Sequence, residues 1–113
     1  MLVLCVDDDD LVRRVTSNMI RELGHDVIEA EDGESALERL RNCGRHVDLM
    51  MTDIRMPGMT GFSLARRAQA DHPGLNVVYM TGYTDGPMPP GPHIHKPCTL
   101  RRLEQTMKSA GHH

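Results

Sequence analysis

The sequence predicts an α/β domain built on a doubly wound parallel sheet. Three observations predict it. Strand-like and helix-like runs alternate along the whole chain. The first run, Met1-Leu-Val-Leu-Cys-Val6, is apolar throughout, as expected of a strand covered on both faces. The length of 113 residues suits a single domain, with no internal repeat or linker to divide it.

Taken in order, residues 2–6 form the first strand before four aspartates interrupt it. Residues 11–23 carry Leu11, Val12, Val15, Met19, Ile20 and Leu23 at helical spacing, and Gly24 suits the C-terminal cap. Residues 26–30 are a second, weaker strand. After Asp32-Gly33, residues 35–43 form a helix with Ala36, Leu37 and Leu40 inward, stopped by Gly44. Residues 47–52 are the third strand, and Met56-Pro57-Gly58 marks a loop after it. A helix over 62–70 ends at His72-Pro73-Gly74, and residues 75–80 form the fourth strand. Residues 82–92 hold four prolines and three glycines, which excludes an ordinary helix. A brief strand over 93–95 then leads to Thr99, an N-cap, and a last helix over 100–109.

Composition narrows the functional classes. Aromatic residues are 3% of the chain, too few for platforms that stack single-stranded nucleic acid. A net charge of −3 gives no electrostatic footprint for direct nucleic-acid binding. No apolar run is long enough for membrane insertion or a signal peptide, so a cytoplasmic protein is expected. Cys5, Cys43 and Cys98 are odd in number and scattered, which favours reduced thiols over a disulfide framework. Gly111-His112-His113 reads as a tag remnant after a domain over 1–110.

In open parallel sheets, ligands sit at the carboxyl ends of the strands. Here the first strand ends in Asp7-Asp8-Asp9-Asp10, the third in Asp53, the fourth in Thr81 and the fifth in Lys96. Clustered carboxylates resist ionising together unless a cation joins them. Oxygen ligands with an open side suit Mg²⁺, which is held by one or two carboxylates plus a phosphate. Lys96 offers a point charge and Thr81 a hydroxyl to phosphate oxygens, and a carboxylate nucleophile can accept a phosphoryl group. Singly, Asp53 reads as a turn residue, Thr81 as a strand residue and Lys96 as a solvated charge. Asp9 and Asp10 suit the start of the first helix. Jointly, the bland readings require four coincidences at one sheet edge.

Val6-Asp-Asp-Asp9, Thr52-Asp-Ile-Arg-Met-Pro-Gly58 with Gly61, Met80-Thr-Gly82 and His95-Lys-Pro97 resemble the receiver domain of two-component response regulators. The resemblance runs from Leu2 to about Ser109. It implies a flavodoxin-like fold of five parallel strands in the order 2-1-3-4-5. It also implies a phosphoacceptor at Asp53, an acidic pair of Asp7 and Asp8, and Mg²⁺ held by Asp8, Asp53 and the backbone carbonyl of Arg55. Thr81 would be the switch hydroxyl, Lys96 the partner of the phosphate, and His93 the switch ring, where the family usually carries Tyr or Phe. The implied partners are a histidine kinase or a histidine phosphotransfer protein, together with an output partner that the residues do not name. Gly82-Tyr-Thr-Asp85 resembles receivers attached to hybrid histidine kinases. With no DNA-binding segment following, the chain is expected to be a stand-alone regulator or a domain of a larger protein.

Two departures from the pattern stand out. Lys96 follows Thr81 by only fifteen residues, so the fourth helix is expected to be reduced or absent, with a loop over 85–92 and a more exposed Tyr79. Cys98 replaces the usual Phe after Lys-Pro. Three other readings compete with this one. An aspartyl-nucleophile phosphatase or phosphotransferase would want an acid two residues past the nucleophile, where Arg55 stands. A degenerate receiver that only binds partners conflicts with intact Asp8, Asp53, Thr81 and Lys96. The His93-x-His95-x-x-Cys98 spacing could suit Zn²⁺, but the switch-ring reading of His93 is preferred.

Overall fold

The computed structural model describes residues 1–82, 92–96 and 98–111. Five parallel strands form one sheet in the order β2-β1-β3-β4-β5: β1 (Leu2–Val6), β2 (Asp26–Ala30), β3 (Leu49–Asp53), β4 (Asn76–Thr81) and β5 (His93–His95). Among the described residues, four helices accompany them: α1 (Asp10–Glu22), α2 (Gly33–Asn42), α3 (Gly61–Asp71) and α4 (Leu100–Gly111). The predicted fold class and strand order hold. The expected loop over 85–92 falls mostly on residues 83–91, which lie outside the described residues.

The two-residue period of the strands divides the core. Leu2, Leu4, Val6 and Met50 face α2 and α3, where Ala36, Leu40, Leu64, Ala65 and Ala68 meet them. Val3, Cys5, Leu49, Met51, Val78, Met80 and Ile94 face the other way, against Ile20, Leu103, Met107 and Ala110 of α1 and α4. Four of the fully buried large side chains are methionines, Met50, Met51, Met80 and Met107. These flexible thioethers fill the volume that aromatic rings, scarce in this sequence, would otherwise take. Cys5 lies among them, and burial pushes its thiol pKa up to about 12, so it stays an inert thiol. Cys5, Cys43 and Cys98 are all free, and Cys98 packs at the edge of the second cluster.

Caps set the starts of α1, α2 and α3 one or two residues earlier than the apolar spacing suggested, whereas α4 starts at Leu100 after Thr99 as expected. The Asp9 carboxylate accepts from the amides of Leu11 and Val12, Asp32 from Ser35, Thr60 from Ser63 and Thr99 from Arg102. Helix α1 ends in a Schellman turn, with Gly24 N–H donating to Arg21 and His25 N–H to Ile20. Gly24 sits at φ 94°, the left-handed region that favours glycine. The apolar stripe of α1 is less inward than its spacing implied. Leu11 is 71% exposed and Val15 50%, because Leu11 lies nine residues, half a turn out of phase, from buried Ile20. Tyr79 is half-buried, with its ring centroid 4.9 Å from that of Phe62.

Close approach fixes the β3–α3 connection. Gly61 donates its amide to the Ile54 carbonyl at 2.8 Å, and a Cβ there would run into the backbone carbonyl of Asp53. Gly61→Ala is expected to destabilise the fold by about 1–3 kcal/mol in urea unfolding, the usual range for overpacking. Gly44→Ala, with open space around it, should stay within about 0.5 kcal/mol. Equal effects would refute the close approach.

Candidate functional site

Strand order and register bring the distant acids together. β1 and β3 are neighbours, with Val6 opposite Thr52, so Asp7 and Asp53 emerge side by side at the carboxyl edge. β4 and β5 lie next in the sheet, and the Lys96 amide donates to the Thr81 carbonyl at 2.7 Å. That bond continues the ladder one step past β5 and delivers the lysine side chain to the same edge.

The geometry centres on one ammonium. Lys96 Nζ lies 3.3 Å from Asp7 Oδ2 and 3.2 Å from Asp53 Oδ2. Each carboxylate also accepts a backbone amide through its other oxygen: Asp9 N–H donates to Asp7 Oδ1 at 3.0 Å, and Ile54 N–H to Asp53 Oδ1 at 2.9 Å. Asp7 is fully buried and Asp53 is 6% exposed, whereas Asp8 is exposed. Carboxylate oxygens of Asp7, Asp8 and Asp53 lie within 4.8 Å of one another.

Charge is out of balance here. Burial raises the Asp7 carboxyl above the usual carboxylate range, while the Asp9 amide and Lys96 pull it back. Burial likewise raises Asp53, opposed by Lys96 and reinforced by Asp7. Burial alone would lower the Lys96 ammonium, but the two carboxylates outweigh it and hold the lysine above its ordinary value. Two carboxylates share one ammonium and a third, Asp8, lies close beside them, so the described residues leave an excess of negative charge, and all the crowded donors are hard oxygens. That set fits a small divalent cation such as Mg²⁺.

Other expected site residues are placed as follows. Thr81 is 2% exposed, and its Oγ1 lies 3.0 Å from His95 Nδ1. His93 is half-buried, with its ring edge-on to that of His95 at 5.9 Å between centroids. Arg55 is exposed in the loop after β3. Among the described residues, the group of three or more possible ligands is Asp7, Asp8 and Asp53; His93, His95 and Cys98 do not form a second one.

Two participants escaped the sequence reading. The Arg13 guanidinium donates to the Asp7 carbonyl at 2.8 Å and reaches Asp10 and Glu29 at 2.7 and 3.1 Å, tying α1 and β2 to the acidic turn. Its i,i+3 spacing from Asp10 was the available signal. The second is His95 in its contact with Thr81: the sequence offered His95 as a possible Zn²⁺ ligand and as part of His95-Lys-Pro97, and its register opposite Thr81 becomes visible only once β4 and β5 are paired.

Comparisons with known proteins agree with this fold. Residues 3–89 match the family described as the response regulator receiver domain. The chain is 32% identical over 113 residues to the sensor kinase CckA of Brucella abortus, covering 94% of this chain and 12% of that protein. It is 38% identical over 85 residues to a cyclic di-GMP phosphodiesterase of Thermotoga maritima, covering 75% of this chain and 22% of that protein. The chain thus spans under a quarter of the length of either relative. Among solved structures, the receiver domain from the hybrid histidine kinase CckA superposes with a TM-score of 0.82 at 32% identity, covering 97% of this chain and 98% of that one.

The raised carboxyls link the site to stability. Asp7 and Asp53 bind protons more tightly folded than unfolded, so stability is present at low pH and lost as pH rises through their raised values. Asp53→Asn removes one of these losses. In thermal melts the variant should unfold at a higher temperature than the parent at pH 7, the gap narrowing towards about pH 4. A gap independent of pH would contradict the charge crowding.

Proposed function

The chain belongs to the response regulator receiver family, and on that premise we propose that it accepts a phosphoryl group on Asp53 and thereby changes its affinity for a partner. The observation that carries the reading is the pair Asp7 and Asp53 sharing Lys96 at the carboxyl edge of the sheet. A carboxylate oxygen of Asp53 attacks phosphorus in line. The O–P bond forms as the P–N bond of a phosphohistidine breaks, and the electron pair leaves on the imidazole nitrogen. The donor is a histidine kinase or a histidine phosphotransfer protein.

Asp8, Asp53 and the Arg55 backbone carbonyl would hold Mg²⁺, with Asp7 completing the acidic pair. When bound, the ion neutralises negative charge on the carboxylates and the incoming phosphoryl oxygens. Lys96 then turns from Asp7 and Asp53 to the phosphoryl group, and the Thr81 hydroxyl donates to a second oxygen. His93 is the ring that responds. Leu11 and Val15, exposed on successive turns of α1 near the acidic edge, supply an apolar landing surface for the phosphodonor.

Receiver domains are signalling modules, and we assign this chain that role rather than turnover, with at most slow self-dephosphorylation. The activity named for the Thermotoga maritima relative belongs to a protein of which this chain matches 22%. Arg55 stands where an aspartyl phosphatase would want its second acid, which disfavours that chemistry. The intact acidic set disfavours a degenerate receiver. We take the domain to be residues 1–110 and its setting to be the cytoplasm, in keeping with the lack, among the described residues, of a helix able to cross a membrane. A net charge of −3 argues against direct binding to nucleic acid.

Incubation with acetyl phosphate and Mg²⁺ should add one phosphoryl mass to the parent and none to Asp53→Asn. Equal labelling of the variant would overturn Asp53 as acceptor. Asp8→Ala should weaken Mg²⁺ binding by at least about tenfold, the penalty for losing even an outer-shell group. Asp10→Ala should leave it nearly unchanged, and equal losses would displace the site.

A further inference from the structure

We propose that His95 is a positioning residue that holds the Thr81 hydroxyl in the unphosphorylated chain and ties its release to His93. The inference rests on the phosphoacceptor reading above and adds a component to it.

Thr81 is 2% exposed, so little water reaches it, and a buried hydroxyl without a partner is costly. The partner is His95 Nδ1, 3.0 Å away. The contact follows from register, because Thr81 and His95 are opposed across β4 and β5 and so share a face. Tyr79 and His93, two residues earlier on each strand, are the preceding pair on that face. The His93 and His95 rings meet edge-on at 89° and 5.9 Å. Thr81, His95 and His93 therefore form a continuous row from the acidic edge along β5.

Donor counting gives the row its consequence. A threonine hydroxyl has one proton to donate. In the neutral tautomer with its proton on Nε2, His95 Nδ1 accepts that proton. The hydroxyl then cannot donate it to a phosphoryl oxygen on Asp53. Phosphorylation must break the Thr81–His95 bond, and the freed imidazole is in edge contact with His93. His95 thus opposes the phosphorylated arrangement and passes its onset to the neighbouring ring. A histidine that merely filled surface space would do neither.

Three measurements decide this. In long-range ¹H–¹⁵N spectra of the unphosphorylated parent, His95 Nδ1 should be the unprotonated nitrogen; a proton on Nδ1 would overturn the inference without any phosphorylation. With acetyl phosphate and Mg²⁺, His95→Val should take up the phosphoryl group about two- to tenfold faster than the parent, the worth of one ordinary hydrogen bond. His95→Asn, which keeps a polar atom near the Nδ1 position, should return towards the parent rate. In a Thr81→Val background, His95→Val should have no further effect. Uptake equal in parent and His95→Val, or an undiminished effect without the hydroxyl, would overturn the role of His95 alone. Failure of the parent to be labelled on Asp53 would instead overturn the phosphoacceptor reading.

Discussion

Asp7 and Asp53 leave neighbouring strands with their carboxyl groups turned towards a single ammonium, 3.3 and 3.2 Å from Lys96 Nζ. Both acids are buried, and burial disfavours their charged forms. One lysine cannot neutralise two carboxylates, and the nearby Asp8 adds a third. Among the described residues the edge therefore carries an excess of negative charge, a state that favours an added cation. The same lysine is the group that an incoming phosphoryl oxygen would attract.

The rest of the fold maintains that imbalance. The sheet order puts β1 beside β3 and brings β4 and β5 alongside. Two apolar clusters, one on each face, clamp the strands so that their carboxyl ends cannot drift apart. Local devices aim the carboxylates: the Asp9 and Ile54 amides each take one oxygen, leaving the other to face Lys96. Arg13 anchors the acidic turn through the Asp7 carbonyl, and Gly61 lets α3 start against the carbonyl of Asp53. These contacts hold like charges close together, an arrangement that a core selected for stability alone would avoid.

Much of this was legible in the sequence because it depends on short-range chemistry. The apolar run before Asp7 marked a doubly covered strand, and the strand ends pointed to Asp7, Asp8, Asp53, Thr81 and Lys96 before any geometry existed. Helix starts were placed late, since apolar spacing says nothing of the Asp32 and Thr60 side chains that capture the first amides. Leu11 and Val15 matched a helical stripe yet face outward, because periodicity does not say how wide a stripe the sheet will cover. The contact of His95 with Thr81 went unread for another reason. The two are fourteen residues apart, and only the register of two strands brings them together.

The crowding of charge at Asp53 is most directly tested by following its carboxyl carbon by ¹³C NMR through a pH titration, with and without Mg²⁺. Without the ion, Asp53 should titrate above the ordinary carboxylate range, and Mg²⁺ should bring it down. A carboxyl that titrates in the ordinary range and ignores Mg²⁺ would contradict the account.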